Sequence, residues 1–302
     1  MNSLRVRVPA TTANLGPGFD ALGLALDLWN ETEFTLPEPD QSGIRLEISG
    51  EGAGALPTDS SNLIVRSAQF LYERCGQPFP PDLCIRCTNR IPLGSGLGSS
   101  AAAVVSGLLG ANGLLGRPCS PLEVLAMATE IEGHPDNAGA AVLGGLEVVV
   151  MENGQVVARK IEISALAVAV AVPEFNLPTH AARAALPRQV SLADAVFNLG
   201  RTALVIESLR TGDLDLLGWV MADRLHQPYR LPLIPGAEAA MLAALQAGAS
   251  AAALSGAGPG VVAFGRVDMA PAAAAMQAAF QSAGLPARTW ILSTTAHGAS
   301  IV

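Results

Sequence analysis

Arg90-Ile91-Pro92-Leu93-Gly94-Ser95-Gly96-Leu97-Gly98-Ser99-Ser100-Ala101-Ala102 is the stretch on which the reading of this chain turns. It follows an alternating run, Leu83 to Arg90, that reads as a strand, and it leads into an uncharged run that reads as a helix from Ser99 to about Leu109. Three alternate glycines at this junction let backbone N–H groups turn inward together, and the helix adds its unpaired N–H groups and positive dipole end. Such a loop holds a phosphate without any lysine. Ser99 and Ser100 supply hydroxyls to phosphate oxygens or to a metal. No acid occurs between Asp82 and Glu123, whereas Arg86, Arg90 and Arg117 flank the loop. The plain alternative is a tight turn ahead of a core helix.

Rival glycine signatures fail. A dinucleotide fingerprint needs a third glycine where Ser99 stands and an acid some twenty residues on. A hydrolase elbow needs Gly-x-Ser-x-Gly, which occurs nowhere. Among 18 basic residues in 302, the one lysine is Lys160, which follows no glycine loop. That removes the lysine-dependent nucleotide loop, and the absence of any His-Arg-Asp or Asp-Phe-Gly sequence removes a protein kinase. Lys160 is therefore expected to be replaceable.

The net charge of −8 and the lack of any basic run longer than Arg159-Lys160 argue against a nucleic-acid partner. The start, Met1 to Val8, alternates charged and apolar residues without a signal peptide, so a cytoplasmic protein is expected. Ile91–Gly116 and Ala239–Gly265 are long enough to span a bilayer, but glycines and Gln246 break them into buried helix and turn. Cys84 and Cys87 lie on opposite faces of a strand, so reduced structural thiols are expected rather than a chelate.

The rest of the chain reads as strands at Leu4–Val8, Ile44–Ile48, Gly145–Met151 and Ala165–Val172, the last unbroken and so covered on both faces. Helices are expected at Leu63–Cys75, from Ser120 to Glu132, near Ser191–Leu209, at Leu214–Leu225, at Pro235–Ala247 and at Ala270–Ala283. Ser120-Pro121-Leu122-Glu123 is a capping box with proline at the first helical position. Asn14 to Gly23 reads as a loop, and a shift toward alanine sets a soft boundary between 150 and 175.

Three further constellations carry chemistry. Thr12 to Gly23 sets Asn14 and Asp20 in a Pro-Gly turn. Glu130 and Glu132 close a helix before Gly133-His134-Pro135-Asp136-Asn137, where carboxylates oppose the helix dipole unless a cation such as Mg²⁺ is near; solvated glutamates beside a capping glycine are the alternative. Thr179 and Arg183 share a helix start, and Arg230 sits beside a proline turn; paired arginines suit a carboxylate.

Pro92 to Ala102 resembles the phosphate-binding motif of the GHMP small-molecule kinases, and Leu254-Ser255-Gly256-Ala257-Gly258-Pro259-Gly260 resembles that family's C-terminal glycine motif. Thr12–Gly23, Glu-Gly-His-Pro-Asp-Asn and the Thr179–Arg183 and His226–Arg230 segments are similar to its homoserine-kinase branch. The resemblance thus touches nearly the whole chain. It implies an α+β fold in two domains, 1–160 and 161–302, with a ribosomal-protein-S5-domain-2-like N-terminal half and a ferredoxin-like C-terminal half.

It also implies ATP and Mg²⁺ as cofactors and phosphorylation of L-homoserine on the route to threonine. Pro92, Leu93, Gly94, Ser95, Gly96, Leu97, Gly98, Ser99, Ser100, Ala101, Ala102, Ser255, Gly256 and Gly258 would surround the nucleotide. Glu130 would hold the metal opposite Ser100 or Ser99. Asp20 would meet the ammonium and Arg183 and Arg230 the carboxylate, while Asn14, His134, Thr179 and Asn137 orient the rest. Asp136 stands in a shorter sequence than the one around the family's aspartate base, so its part is left open. A kinase of another alcohol, such as mevalonate or a diphosphocytidyl erythritol, and a non-catalytic nucleotide binder are the alternatives. No membrane is expected as partner, and a homodimer stays open.

Overall fold

A computed structural model describes residues 3–36, 43–266 and 268–302. The first unit runs β1 (Ser3–Ala13), β2 (Leu22–Thr35), β3 (Ile44–Gly50), α1 (Leu63–Arg74), β4 (Leu83–Asn89), α2 (Ser99–Leu114), α3 (Pro121–Glu132), α4 (Asp136–Leu143), β5 (Leu146–Glu152) and β6 (Gln155–Ile161). The second runs β7 (Ala167–Pro173), α5 (Thr179–Ala184), α6 (Leu192–Thr211), α7 (Leu214–Val220), α8 (Gln227–Arg230), α9 (Ala237–Gln246), β8 (Ala251–Leu254), β9 (Val261–Gly265), α10 (Ala270–Ser282) and β10 (Ala287–Ser293). A last strand, β11 (Ser300–Ile301), returns to pair antiparallel with β1. The chain thus closes the sheet in which it began.

The first sheet is ordered β11-β1-β2-β4-β3, with β5 beside β2 and β6 beside β5. Only β3 and β4 are parallel, since α1 crosses between them. The register of β1 against β2 shifts at Pro9/Ala10, where proline offers no N–H to the ladder. α2, apolar on every side, is the central helix of this unit; Ala101, Val104, Val105 and Leu108 are fully buried.

The second sheet is antiparallel in the order β10-β7-β9-β8, which in its own strand numbering is 4-1-3-2 with helices inserted in ferredoxin-like fashion. Val168 and Val170 of β7 face the large core shared with α6 and α7, while Ala169 and Ala171 face a second core under α9 and α10. Its uninterrupted apolar run follows from burial on both faces.

Several elements depart from the sequence expectation. β2 is fourteen residues long, yet only its second half alternates, and there Asn30 and Thr32 occupy buried positions that aliphatics would ordinarily mark. α2 extends to Leu114, and α4, β8, β9 and β10 were not marked by periodicity. The Leu214 helix stops at Val220 instead of Leu225, because the Asp223 carboxylate takes the amides of Leu225, His226 and Gln227.

Among the described residues no helix is long and apolar enough to cross a membrane. Cys84 is half-buried and Cys87 buried on opposite faces of β4, as expected; Cys75 and Cys119 meet at 3.8 Å as free thiols. Lys160 donates to the carbonyls of Leu143, at 2.9 Å, and Ala296, so it ties β6 to the end of α4 far from the glycine loop.

Candidate active site

Gly98 ends the glycine loop and caps α2 in the left-handed region (φ +70°), with no side chain bonding the free end of the helix. A Cβ there would stand 2.0 Å from Thr11 Oγ1, and one at Gly96 (φ +80°) would stand 2.1 Å from the Ser255 carbonyl. Both glycines are therefore dictated by backbone angle and by close approach. The loop is strapped from outside: Thr11 N–H donates to Leu97, Gly260 N–H to Ser95, and Ser255 Oγ to the Gly96 carbonyl and Thr12 Oγ1. The first-turn N–H groups of α2, which have no intrahelical acceptor, are left to the cleft.

That cleft, about 410 Å³, is lined by Gly94, Ser95, Gly96, Gly98, Ser99, Ser100 and Ala101, by Asn14 and Asp20, by Glu132, His134, Asp136 and Asn137, by Thr179, Arg183 and Arg230, and by Gly256 and Gly258. The two glycine motifs, far apart in sequence, share one wall. Leu97 and Ala102 turn into the core instead, and Ser255 lies fully buried beneath the loop. Ser95 spends its hydroxyl inside the loop, on the Pro92 carbonyl. Leu93 faces a second, more apolar cavity of about 370 Å³ that shares Leu63, Gly94, Ser99 and Ser100 with the cleft and runs on to Ile48, Pro57, Asn62 and Cys87. This cavity was not legible as a motif, because its residues come from five separate elements, β2, β3, α1, β4 and α2, and from the loops between them.

Glu130, the expected metal ligand, is not among the residues that line the cleft; it pairs with Arg74 of α1 and is half-exposed. Glu132, two residues on and so turned to a different side of α3, accepts the Ser100 hydroxyl at 2.6 Å. Burial pushes the Glu132 pKa up, against the pull of that hydrogen bond. The oxygen set of Ser100 and Glu132 beside a phosphate cradle fits a hard cation that draws its other ligands from phosphates and water. No cluster of three or more His, Cys, Asp or Glu side chains among the described residues offers an all-protein metal cage.

Across the cleft, Asp20 and Arg183 form a two-pronged pair at 2.8 and 2.9 Å, which raises the arginine's pKa. Asn14, at φ +71°, sets the loop: its Nδ2 donates to the Gly256 carbonyl and its Oδ1 accepts the Asp20 amide. Arg230 is 2% exposed, donates to the carbonyls of Gly256 at 3.2 Å and Ala182 at 3.4 Å, and has its pKa lowered by burial. Phe19 lies under both guanidinium groups, at 5.6 Å from Arg183 and 5.2 Å from Arg230. His134 Nδ1 stands 3.0 Å from the buried Asp136 carboxylate, which raises the histidine's pKa. Asp136 also accepts the Asn137 amide, and Asn137 Oδ1 accepts the Thr11 hydroxyl at 2.7 Å. Asp136 thus orients its neighbours.

A lysine-free phosphate cradle set against a carboxylate–arginine pair, on these two sheets, defines a GHMP-type small-molecule kinase. The family model for the GHMP kinases N terminal domain matches residues 62–145, and that for GHMP kinases C terminal matches 205–282. The chain is 46% identical to homoserine kinase of Moorella thermoacetica over 298 residues, 98% of this chain and 99% of that one. Its fold superposes on the crystal structure of homoserine kinase from Cytophaga hutchinsonii with a TM-score of 0.88 and 32% identity, covering 100% and 98% of the two chains. L. major mevalonate kinase in complex with R-mevalonate shares the fold alone, at TM-score 0.73 and 18% identity over 97% and 96%. The chain belongs to the homoserine kinases of the GHMP kinase family.

Proposed function

We propose that this chain transfers the γ-phosphoryl group of ATP to the side-chain hydroxyl of L-homoserine, giving ADP and O-phospho-L-homoserine for threonine biosynthesis. The observation that carries the reading is the Asp20–Arg183 pair in the same cleft as the phosphate cradle. A zwitterionic amino acid can replace both partners of that pair at once, its ammonium on Asp20 and its carboxylate on Arg183 and Arg230. A mevalonate-type substrate has no ammonium to offer.

The α2 N-terminus and the Gly94–Gly98 amides take the phosphates, and the apolar second cavity takes the base. Glu132 and Ser100 would hold Mg²⁺, which when bound neutralises charge on the phosphates. Phosphoryl transfer passes through a loose transition state, so positioning outweighs proton removal. The residues that position are Asn137, held by Thr11, and His134, held by Asp136, with Thr179 on the opposite wall. The hydroxyl oxygen gains the phosphorus bond as the bond to ADP breaks, and its proton passes late to water, without a strong base. A cytoplasmic homodimer completes the reading; the solvent face of α6 leaves Leu192, Val196 and Leu199 open, a surface that suits a second copy.

An ADP-release assay with homoserine, mevalonate, galactose and buffer alone tests the function. Turnover with homoserine only is expected. Turnover with another alcohol, or nucleotide binding with none, would overturn it.

A further inference from the structure

His226 lies wholly buried behind Arg230, out of reach of any bound substrate. Each ring nitrogen has neighbours of fixed character. Nε2 stands 2.7 Å from the Gly16 carbonyl and 3.5 Å from Asp223 Oδ2; both are acceptors, so Nε2 carries the proton. Nδ1 stands 3.3 Å from Arg230 Nη1, which can only donate, so Nδ1 accepts. The ring also stacks on Phe19 at 5.3 Å, the same ring that underlies Arg183 and Arg230.

The histidine is itself fixed. Asp223, fully buried, accepts the backbone N–H groups of Leu225, His226 and Gln227 and Nδ2 of Asn198. Asn198 and Thr202 of α6 donate to the Pro17 carbonyl. Gly16 and Pro17 belong to the loop that carries Asn14 and Asp20. One buried polar assembly thus grips both the Asp20 loop and the Arg230 guanidinium.

We propose that His226 is a positioning residue for amino-acid recognition, which as its neutral Nε2–H tautomer sets Arg230 relative to the Asp20 loop. The proposal rests on the reading of these two charges as partners of a substrate carboxylate and ammonium. Burial drives the His226 pKa down, with Arg230 acting in the same direction and Asp223, the Gly16 bond and Asp20 opposing. Those are the charged groups that face the ring, from its own segment, from α8 and from the 14–20 loop. A protonated ring would set a second cation against the guanidinium and leave Arg230 Nη1 without that acceptor.

Two variants divide the ring's roles. His226→Asn keeps an acceptor near the Nδ1 position and loses the reach to Gly16; His226→Gln keeps a donor toward Gly16 and loses the acceptor for Arg230. With the full chain at saturating ATP, His226→Gln is expected to raise KM for homoserine about tenfold or more. Its kcat and its KM for ATP stay near wild type. His226→Asn recovers most of the homoserine KM while lowering the melting temperature. In wild type, ¹⁵N NMR of the imidazoles should show one ring held as the neutral Nε2–H tautomer below about pH 6.5, the ordinary histidine value, and missing from both variants. Equal KM increases in the two variants, an effect on kcat alone, or an imidazolium signal from this ring at neutral pH would each overturn the proposal. The NMR result decides even where a variant fails to fold. Should Arg230→Gln leave the homoserine KM unchanged, the substrate reading fails; should it raise KM while both His226 variants match wild type, His226 alone is dismissed.

Discussion

Glu132→Gln should cost activity without costing stability, and Glu130→Gln should cost neither. Glu132 accepts the Ser100 hydroxyl on the cleft wall, where we propose that Mg²⁺ binds, and burial raises its pKa. A raised carboxyl pKa means that the folded protein holds this proton more tightly than the unfolded chain. Its contribution to stability is full below the unfolded value and declines as pH rises through the folded one. As pH rises the wild type therefore comes to carry an ionised group in a place that disfavours the charge. Glutamine, neutral at every pH and close in shape, removes that cost, so the variant's melting temperature at pH 8 should equal or exceed wild type. The same change deletes the carboxylate proposed to hold Mg²⁺ on the phosphates, and losing that stabilisation of the phosphoryl charge is worth about 2.7–4 kcal/mol, or roughly 10²–10³ in kcat.

Glu130→Gln is the control. Its pair with Arg74 joins side chains that are 53% and 52% exposed, and such pairs contribute about 0–1 kcal/mol. The assay is ADP release at saturating ATP, homoserine and Mg²⁺, alongside thermal melting from pH 5 to 9. A near-normal kcat for Glu132→Gln, or a large fall for Glu130→Gln, would refute the assignment of the metal end. A lower melting temperature for Glu132→Gln at pH 8 would refute the burial argument by itself.

Asp20→Asn keeps a residue that tolerates φ +54° but removes the charge, so KM for homoserine should rise about ten- to a hundredfold with KM for ATP unchanged, as read in the same assay. Gly98→Ala forces a Cβ to 2.0 Å from Thr11 Oγ1 at φ +70°. It should cost at least about 1–2 kcal/mol in urea unfolding and, by shifting Thr11 off Asn137, weaken ATP binding measured by calorimetry. Glu147 is fully buried with neither carboxylate oxygen bonded, and burial raises its pKa to about 8 despite Lys160. Its unfavourable effect grows from the ordinary carboxyl value of 4.5 up to about 8 and then levels, so Glu147→Gln should melt higher than wild type at pH 9 and equally at pH 4.5. A constant offset across that range would contradict the assignment.

Much of this site is legible in the sequence because turn chemistry is local. Gly94–Gly98, Ser255–Gly258 and His134–Asn137 each announce a backbone conformation within a few residues, and all three meet at the cleft. What local patterns cannot give is which side of a helix faces inward when both candidates are glutamates. Glu130 and Glu132 are equivalent in composition and differ only in direction, which tertiary packing of α3 against α2 and α4 decides. The second cavity and the Asp223–His226 assembly were hidden for the same reason: their members are joined across elements. β2 was missed because two buried positions of its alternating half, Asn30 and Thr32, are polar, and such polar atoms are satisfied by neighbours that only the fold supplies, as when Asn30 accepts the amides of Arg90 and Ile91.

The contacts between the two units are of two kinds, and the difference bears on how the site works. On the nucleotide side, backbone meets backbone or short buried side chains: Gly256 N–H to Ala13, Gly260 N–H to Ser95, Ser255 Oγ to Gly96. Those bonds hold the phosphate cradle to the second glycine turn as one rigid piece, which the scarcity of lysine requires, since amides bind a phosphate only where they are fixed in place. On the substrate side, the six-residue α5 is held to the first unit by side chains, the Asp20–Arg183 pair, and within its own unit by the bond from Arg230 to the Ala182 carbonyl. An incoming zwitterion exchanges with the first of these and draws on the second through Arg230. Adjustment around homoserine is therefore expected at α5 and not at the glycine loops. Hydrogen exchange should show homoserine slowing the amides of residues 179–186, while nucleotide alone acts on residues 94–102.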